Sequence, residues 1–108
     1  MNIREIMSEL TTEEKAALVA GVDFMYTNPV PRLNIPSVRM SDGPYGLRVQ
    51  SEGGDNGIAG SEPATAFPTT VTTASSWNPE NTYRMGEAIA EECAHYGVNV
   101  LLGPGDKY

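Results

Sequence analysis

Apolar residues divide the chain into a helical opening, an irregular proline-bearing middle and a final third with clear strand and helix signals. Ile3, Ile6, Met7 and Leu10 fall at helical spacing. Thr11-Thr12-Glu13-Glu14 then predicts a capping box: the Thr11 hydroxyl accepts the Glu14 N–H while the Glu14 carboxylate reaches back to the N–H of Thr11. The second helix continues through Ala16-Ala17-Leu18-Val19 and stops at Gly21, which tolerates the backbone that ends a helix. Both read as a surface helical hairpin. From Val22 to Pro36 the chain is irregular, because Pro29, Pro31 and Pro36 each remove a donor and push the preceding residue toward extended geometry. A short strand, Ser37-Val38-Arg39-Met40, ends at Ser41-Asp42-Gly43-Pro44, and residues 50–61, rich in Gly, Asp, Asn and Ser, form a long loop.

In the final third, Val71-Thr72-Thr73-Ala74 is β-prone and reads as a strand. Asn78-Pro79-Glu80 is a helix start, with Asn78 as the cap, Pro79 in the first position and an acid in the first turn. Tyr83, Gly86, Ile89, Ala90, Cys93 and Gly97 make one face of this helix, and Glu80, Arg84, Glu87, Glu91 and His95 the other. Glu80 and Arg84 stand four apart in the favourable order. Gly97 ends the helix, and the run Val98-Asn99-Val100-Leu101-Leu102 reads as a strand covered on both faces, with Gly103-Pro104-Gly105 turning out of it. Strand, helix, strand with short connections is a right-handed βαβ crossover, so the predicted class is α/β with a parallel sheet.

Composition narrows the partners. The chain has 108 residues, a net charge of −7 and one cysteine, Cys93. The negative charge argues against nucleic acid and repels anionic membranes; a neutral sugar is indifferent to it. A lone cysteine excludes an internal disulfide, and no stretch approaches the ~20 apolar residues of a membrane span. The opening Met1-Asn2-Ile3-Arg4-Glu5 lacks the basic-then-apolar order of a signal peptide, so the expected location is cytoplasmic.

Chemistry concentrates in Ser41-Asp42-Gly43-Pro44-Tyr45-Gly46-Leu47-Arg48. A carboxylate directly follows an apolar strand there, and glycines and a proline hold the chain in a tight path. In parallel α/β barrels the carboxyl ends of strands carry the site. Taken locally, the same residues describe a plain turn, since an Asp side chain often bonds its own backbone two residues on. The other candidates read as structural. His95 lies on the polar helix face without a second ligand at metal spacing, and Cys93 is a small residue of the apolar face. Ser75-Ser76 has no nucleophile-elbow pattern. Trp77, just before the helix cap, is expected to pack a barrel edge rather than to stack on a sugar. The glycines are too scattered for a phosphate loop.

Several separate segments, in order, resemble the bacterial β-glucosidases of glycoside hydrolase family 3. These are Thr12-Glu13-Glu14-Lys15 through Gly21-Val22-Asp23-Phe24, and Leu33-Asn34-Ile35-Pro36-Ser37-Val38 with Ser41-Asp42-Gly43-Pro44 and Gly46-Leu47-Arg48. Pro63-Ala64-Thr65-Ala66-Phe67-Pro68, Ala74-Ser75-Ser76-Trp77-Asn78 and Val100-Leu101-Leu102-Gly103-Pro104-Gly105 follow. The resemblance spans roughly residues 10–105. It implies that residues 1–108 are an incomplete N-terminal (β/α) barrel domain with about three strands. The full-length relative is then a hydrolase of carbohydrate metabolism that releases terminal β-linked glucose by a retaining mechanism.

The resemblance also assigns residues. Asp42 matches the family's Asp that binds hydroxyls of the nonreducing-end sugar, and an ionised carboxylate can accept two hydrogen bonds from adjacent hydroxyls. Arg48 is the second substrate-binding candidate, with a structural salt bridge to Asp42 or to a loop acid as its alternative. The pattern departs at Asp106-Lys107-Tyr108. The family's Lys-His pair, nucleophilic Asp and acid/base Glu have no matching positions, and Asp23, Glu52, Asp55, Glu62 and Asp106 nominate no catalytic pair. No catalytic residue, metal or cofactor is therefore implied. The expected partners are a β-glucoside or oligosaccharide substrate and the remainder of the enzyme. The alternatives are a noncatalytic truncated or split-enzyme segment, and an independent small acidic binding protein, which the motifs disfavour.

Overall fold

The computed structural model describes residues 2–51 and 60–105. Most of the predicted 50–61 loop, with Glu52 and Asp55, lies outside the described residues, as does Asp106; the loop's ends are tied by Ser51 N–H to the Gly60 carbonyl at 3.1 Å. The chain forms two compact units, Met1–Arg39 and Met40–Tyr108.

The first unit is built on helix ends. Helices α1 (Ile3–Glu9) and α2 (Thr12–Ala20) each carry a reciprocal capping box. That of α2 is the predicted Thr11/Glu14 pair, at 3.2 and 2.9 Å. Asn2 and Glu5 form an unpredicted one on α1, at 3.0 and 2.9 Å. Gly21 ends α2 with φ of 72°, and the Asn28 amide reaches back to the carbonyls of Ala17 and Gly21 at 2.9 and 2.7 Å. The Gly21 carbonyl, and that of Ala17, which also accepts the Gly21 N–H at 3.1 Å, are thus bonded from a distance. A 3₁₀ turn, Pro31–Leu33, presents Arg32, whose guanidinium binds the Glu14 carboxylate through two nitrogens and also donates to the Glu9 carbonyl at 2.7 Å. Arg32 and the Thr11 N–H together hold the Glu14 carboxyl down to about 2. Leu10 and Val30 are buried, whereas Ile3, Met7 and Val19 are exposed, as surface helices require.

The second unit holds a parallel pair, β1 (Met40–Asp42) and β2 (Val100–Leu102), in the register Met40↔Val100, Ser41↔Leu101, Asp42↔Leu102. Between them run α3 (Thr70–Ser75) and α4 (Pro79–His95). The parallel α/β expectation therefore holds, but with a different partner. The predicted strand Val71-Thr72-Thr73-Ala74 is helical, so the strand preceding the crossover is β1, and the sheet among the described residues has two strands. The reason is local: the Thr73 hydroxyl donates to the Thr69 carbonyl at 3.0 Å and Ser75 to Val71 at 2.7 Å. These bonds satisfy the hydroxyls inside the helix, and the Thr69 side chain caps its start by accepting the Thr72 N–H at 3.5 Å, a start signal that the β-prone composition hid.

Helix α4 starts as predicted. Asn78 accepts the Glu80 N–H at 3.1 Å, Pro79 opens the helix, and Arg84 pairs with Glu80 at 3.0 Å. That pair is exposed and worth only ~0.3–0.5 kcal/mol. The buried stripe is rotated from the predicted face: Met85, Ala88, Ile89, Glu92, Cys93 and Tyr96 turn inward, while Tyr83 is 64% exposed and Gly86 and Ala90 are exposed. Packing sets this choice, because Cys93, Tyr96 and Leu101 close on the buried cluster Leu47, Val49 and Val98. The expectation of a strand covered on both faces is also corrected. Period-two alternation sends Leu101 to the core and leaves Val100 and Leu102 half-exposed on the other side. Trp77 does not pack an edge in the described chain; it is 92% exposed.

Candidate functional site

Asp42 is the last residue of β1, and its register partner Leu102 is the last residue of β2. Both following turns therefore emerge at the same, carboxyl end of the parallel pair. Ser41, 2% exposed, seats the strand end, and Asp42 itself is exposed. The loop doubles back at once: the Arg48 N–H donates to the Asp42 carbonyl at 2.9 Å. Sequence reasoning placed Asp42 and Arg48 together, and the structure brings them together through their main chains.

Two glycines make this path possible. Gly43 has φ of 148° and Gly46 of 140°, values that side chains rarely tolerate. A β-carbon on Gly43 would collide with the Gly46 carbonyl, and one on Gly46 with the carbonyl of Thr65. Leu47 and Val49 then alternate into the core, which leaves Arg48 outward. The cis Gly103-Pro104 turn leaving β2 lies against Pro44, so that a β-carbon on Gly103 would stand 3.2 Å from the Pro44 Cα.

A wall that sequence reasoning missed closes the other side. Residues 62–67 run without helix or strand along the loop. The Glu62 N–H donates to the Val49 carbonyl at 2.8 Å and the Phe67 N–H to the Tyr45 carbonyl at 2.7 Å. From α4, the Tyr96 hydroxyl donates to the Pro63 carbonyl at 2.6 Å, and the Glu92 carboxylate accepts the Thr65 N–H at 3.1 and 3.4 Å. Residues 42–48 and Ala64, Thr65 and Ala66 thus line an open hollow of about 340 Å³, with Asp42 its one acid and Arg48 its one base among the described residues. One signal for Glu92 was present in the sequence: an acid three residues after Ile89 and beside Cys93 sits on a burying stripe and needs a donor.

The remaining candidates stay outside the hollow. Burial, with a smaller effect from the Glu92 charge, pushes the Cys93 thiol up, which keeps it protonated and unreactive. His95 is exposed and meets the Tyr96 ring edge-on at 4.8 Å. Among the described residues no group of three His, Cys, Asp or Glu could hold a metal ion, and no helix is long and apolar enough to cross a membrane.

No family model matches the chain. Comparison with individual proteins is more informative. The chain is 48% identical over 106 residues to thermostable β-glucosidase B of Acetivibrio thermocellus, covering 97% of this chain and 14% of that protein. It is 46% identical over 101 residues to an exo-α-(1→6)-L-arabinopyranosidase of Bifidobacterium longum, covering 92% of this chain and 13% of that protein. Among solved structures, β-glucosidase of Kluyveromyces marxianus in complex with glucose superposes with a TM-score of 0.85 at 33% identity, covering 96% of this chain and 12% of that one. The family 3 β-glucosidase of Bifidobacterium adolescentis gives 0.76 at 43% identity, covering 92% and 13%. The fold and the strand-end loop define an α/β segment with a parallel strand pair. Over nearly all of its length the chain is similar to one segment of these glycoside hydrolases, family 3 enzymes among them, and it spans about one seventh of the length of the first of these relatives.

Proposed function

We propose that this chain supplies part of the sugar-binding site of a β-glucosidase-like glycoside hydrolase, and that Asp42 accepts hydrogen bonds from adjacent hydroxyls of the terminal glucosyl residue. The observation that carries the reading is the placement of Asp42: an exposed carboxylate at the carboxyl end of a parallel strand, lining a hollow with Arg48. Strand ends of this kind are where α/β folds bind ligands. The carboxylate offers only acceptors and a sugar edge offers donors, so the chemistry is complementary. Arg48 borders the same sugar. The glucose complex of the Kluyveromyces marxianus relative and the β-glucosidase names of others support a neutral β-glucoside as substrate.

In this reading β1 and β2 belong to a (β/α) barrel, and the half-exposed Val100 and Leu102, the exposed Trp77 and the Tyr83–Gly86–Ala90 side of α4 are covered by the rest of that enzyme. Retaining hydrolysis needs two carboxyl groups about 5–5.5 Å apart. Among the described residues the hollow is lined by a single acid, Asp42, and this reading gives the segment a noncatalytic, sugar-positioning part, with nucleophile and acid/base supplied from elsewhere. The test has two arms. D-glucose titrated into the isotope-labelled chain should shift the amides of Gly46 and Arg48, and Asp42→Ala should abolish the response without changing the thermal midpoint. Purified chain should not hydrolyse an aryl β-glucoside. A glucose response that survives Asp42→Ala returns Asp42 to a plain turn residue, and turnover by the chain alone refutes the noncatalytic assignment.

A further inference from the structure

The wall of the hollow formed by residues 63–66 has neither helix nor strand of its own, and all four residues are exposed. An exposed segment of this kind does not hold a ligand-grade geometry unless something rigid fixes it. What fixes it is α4, a seventeen-residue helix with a capped start and a buried Ile89. We propose that Glu92, assisted by Tyr96, is a positioning residue for the sugar-binding hollow: it holds the 63–66 wall at a set distance from the Asp42 loop. The inference rests on the reading of that hollow as a sugar site.

The geometry is specific at one residue. The Thr65 N–H is gripped by both oxygens of Glu92, at 3.1 and 3.4 Å, and the Thr65 carbonyl lies directly over Gly46, where no β-carbon fits. Thr65 is therefore clamped between α4 on one side and the Asp42 loop on the other. Two residues earlier, the Tyr96 hydroxyl holds the Pro63 carbonyl at 2.6 Å. Glu92 and Tyr96 stand four apart, on one face of the helix end, so the two bonds form a single bracket. Glu92 does not line the hollow, so its effect on a bound sugar passes through the backbone of residues 63–66. A carboxylate gives a stronger bond to an N–H than a neutral acceptor does, and a glutamine in its place keeps an acceptor oxygen within reach.

The test uses the isotope-labelled chain, with hydrogen exchange at the Thr65 amide and D-glucose titration read at Gly46 and Arg48. Glu92→Ala should speed exchange at Thr65 about tenfold and weaken glucose binding at least about threefold, while Glu92→Gln recovers most of both. Unchanged exchange in Glu92→Ala overturns the bracket. Faster exchange with unchanged glucose affinity overturns the positioning role. Equal losses in the Ala and Gln variants overturn it too, because a general structural role would not be rescued by an acceptor. Should Glu92→Ala fail to fold, Tyr96→Phe, which keeps the ring and removes only the hydroxyl, must weaken glucose binding, and an unchanged affinity there sinks the inference. Absence of any glucose response in the unmodified chain sinks the sugar reading and the positioning role that rests on it, and exchange at Thr65 still reports separately whether Glu92 holds the wall.

Discussion

Gly46 lies so close beneath the carbonyl of Thr65 that no β-carbon fits between them. Two stretches of irregular chain are thereby pressed together beside the candidate site. Glycine is required twice over, for space and for its φ of 140°. Gly46→Ala should destabilise the second unit by at least about 1–3 kcal/mol and increase exchange at the Phe67 amide, which is bonded to Tyr45. Denaturant unfolding of the two proteins side by side checks it; an unperturbed midpoint would show that the wall can retreat at no cost.

The core prediction contrasts two apolar residues. Leu47 is buried against Val49 and Val98, so Leu47→Ala should cost about 2–5 kcal/mol through lost burial and a cavity. Val19 is 88% exposed on α2, and Val19→Ala should stay within about 0.5 kcal/mol. Urea midpoints at constant slope separate the two, and similar values for both would contradict the assigned core.

The acid limb of stability should report Glu14. Its carboxyl is held down to about 2 from 4.5 by Arg32 first and by the Thr11 N–H second. A folded-state value below the unfolded one means that the contribution is complete above pH 4.5 and is lost as pH falls toward about 2. Glu14→Gln should lower the thermal midpoint at pH 7 and flatten its dependence between pH 4.5 and 2. Circular dichroism melts across that range test the sign. A variant curve parallel to the parent's would mean that the Arg32 pair exerts no hold in solution.

Cys93 offers a probe of the α4 face. Burial and the neighbouring Glu92 charge raise its thiol, so a thiol-directed chromogenic reagent at pH 8 should react several-fold more slowly with the folded chain than with the chain in denaturant. Equal rates would show that α4 does not close over Leu47 and Val98.

Much of the framework was legible in the sequence because it is local. Thr11 with Glu14, and Asn78 with Pro79, are helix starts made by side chains bonding the backbone two or three residues on, so short motifs suffice to specify them. Asp42 was legible only in part: local residues read equally as a plain turn, and the strand expected over Ser37–Met40 in fact runs Met40–Asp42, which puts Asp42 at its last position. Where local signals competed, the reading went astray. Val71-Thr72-Thr73-Ala74 has strand composition, yet it is helical behind a Thr69 cap, with its hydroxyls satisfied by the preceding turn.

Tertiary structure decided the rest. The inward stripe of α4 follows the position of Leu47, Val49 and Val98, which no period within the helix encodes. The pairing of β1 with β2 spans the whole crossover, and Glu92 meets Thr65 across 27 residues. Arg32 meets Glu14 across 18. Sequence by itself determined where α2 and α4 start, which loop carries the candidate carboxylate and which family of chains this one resembles. Only the folded chain decided what faces that carboxylate, because long-range partners are chosen by packing and by the need of each buried or half-buried polar group for a hydrogen bond, and neither is written in neighbouring residues.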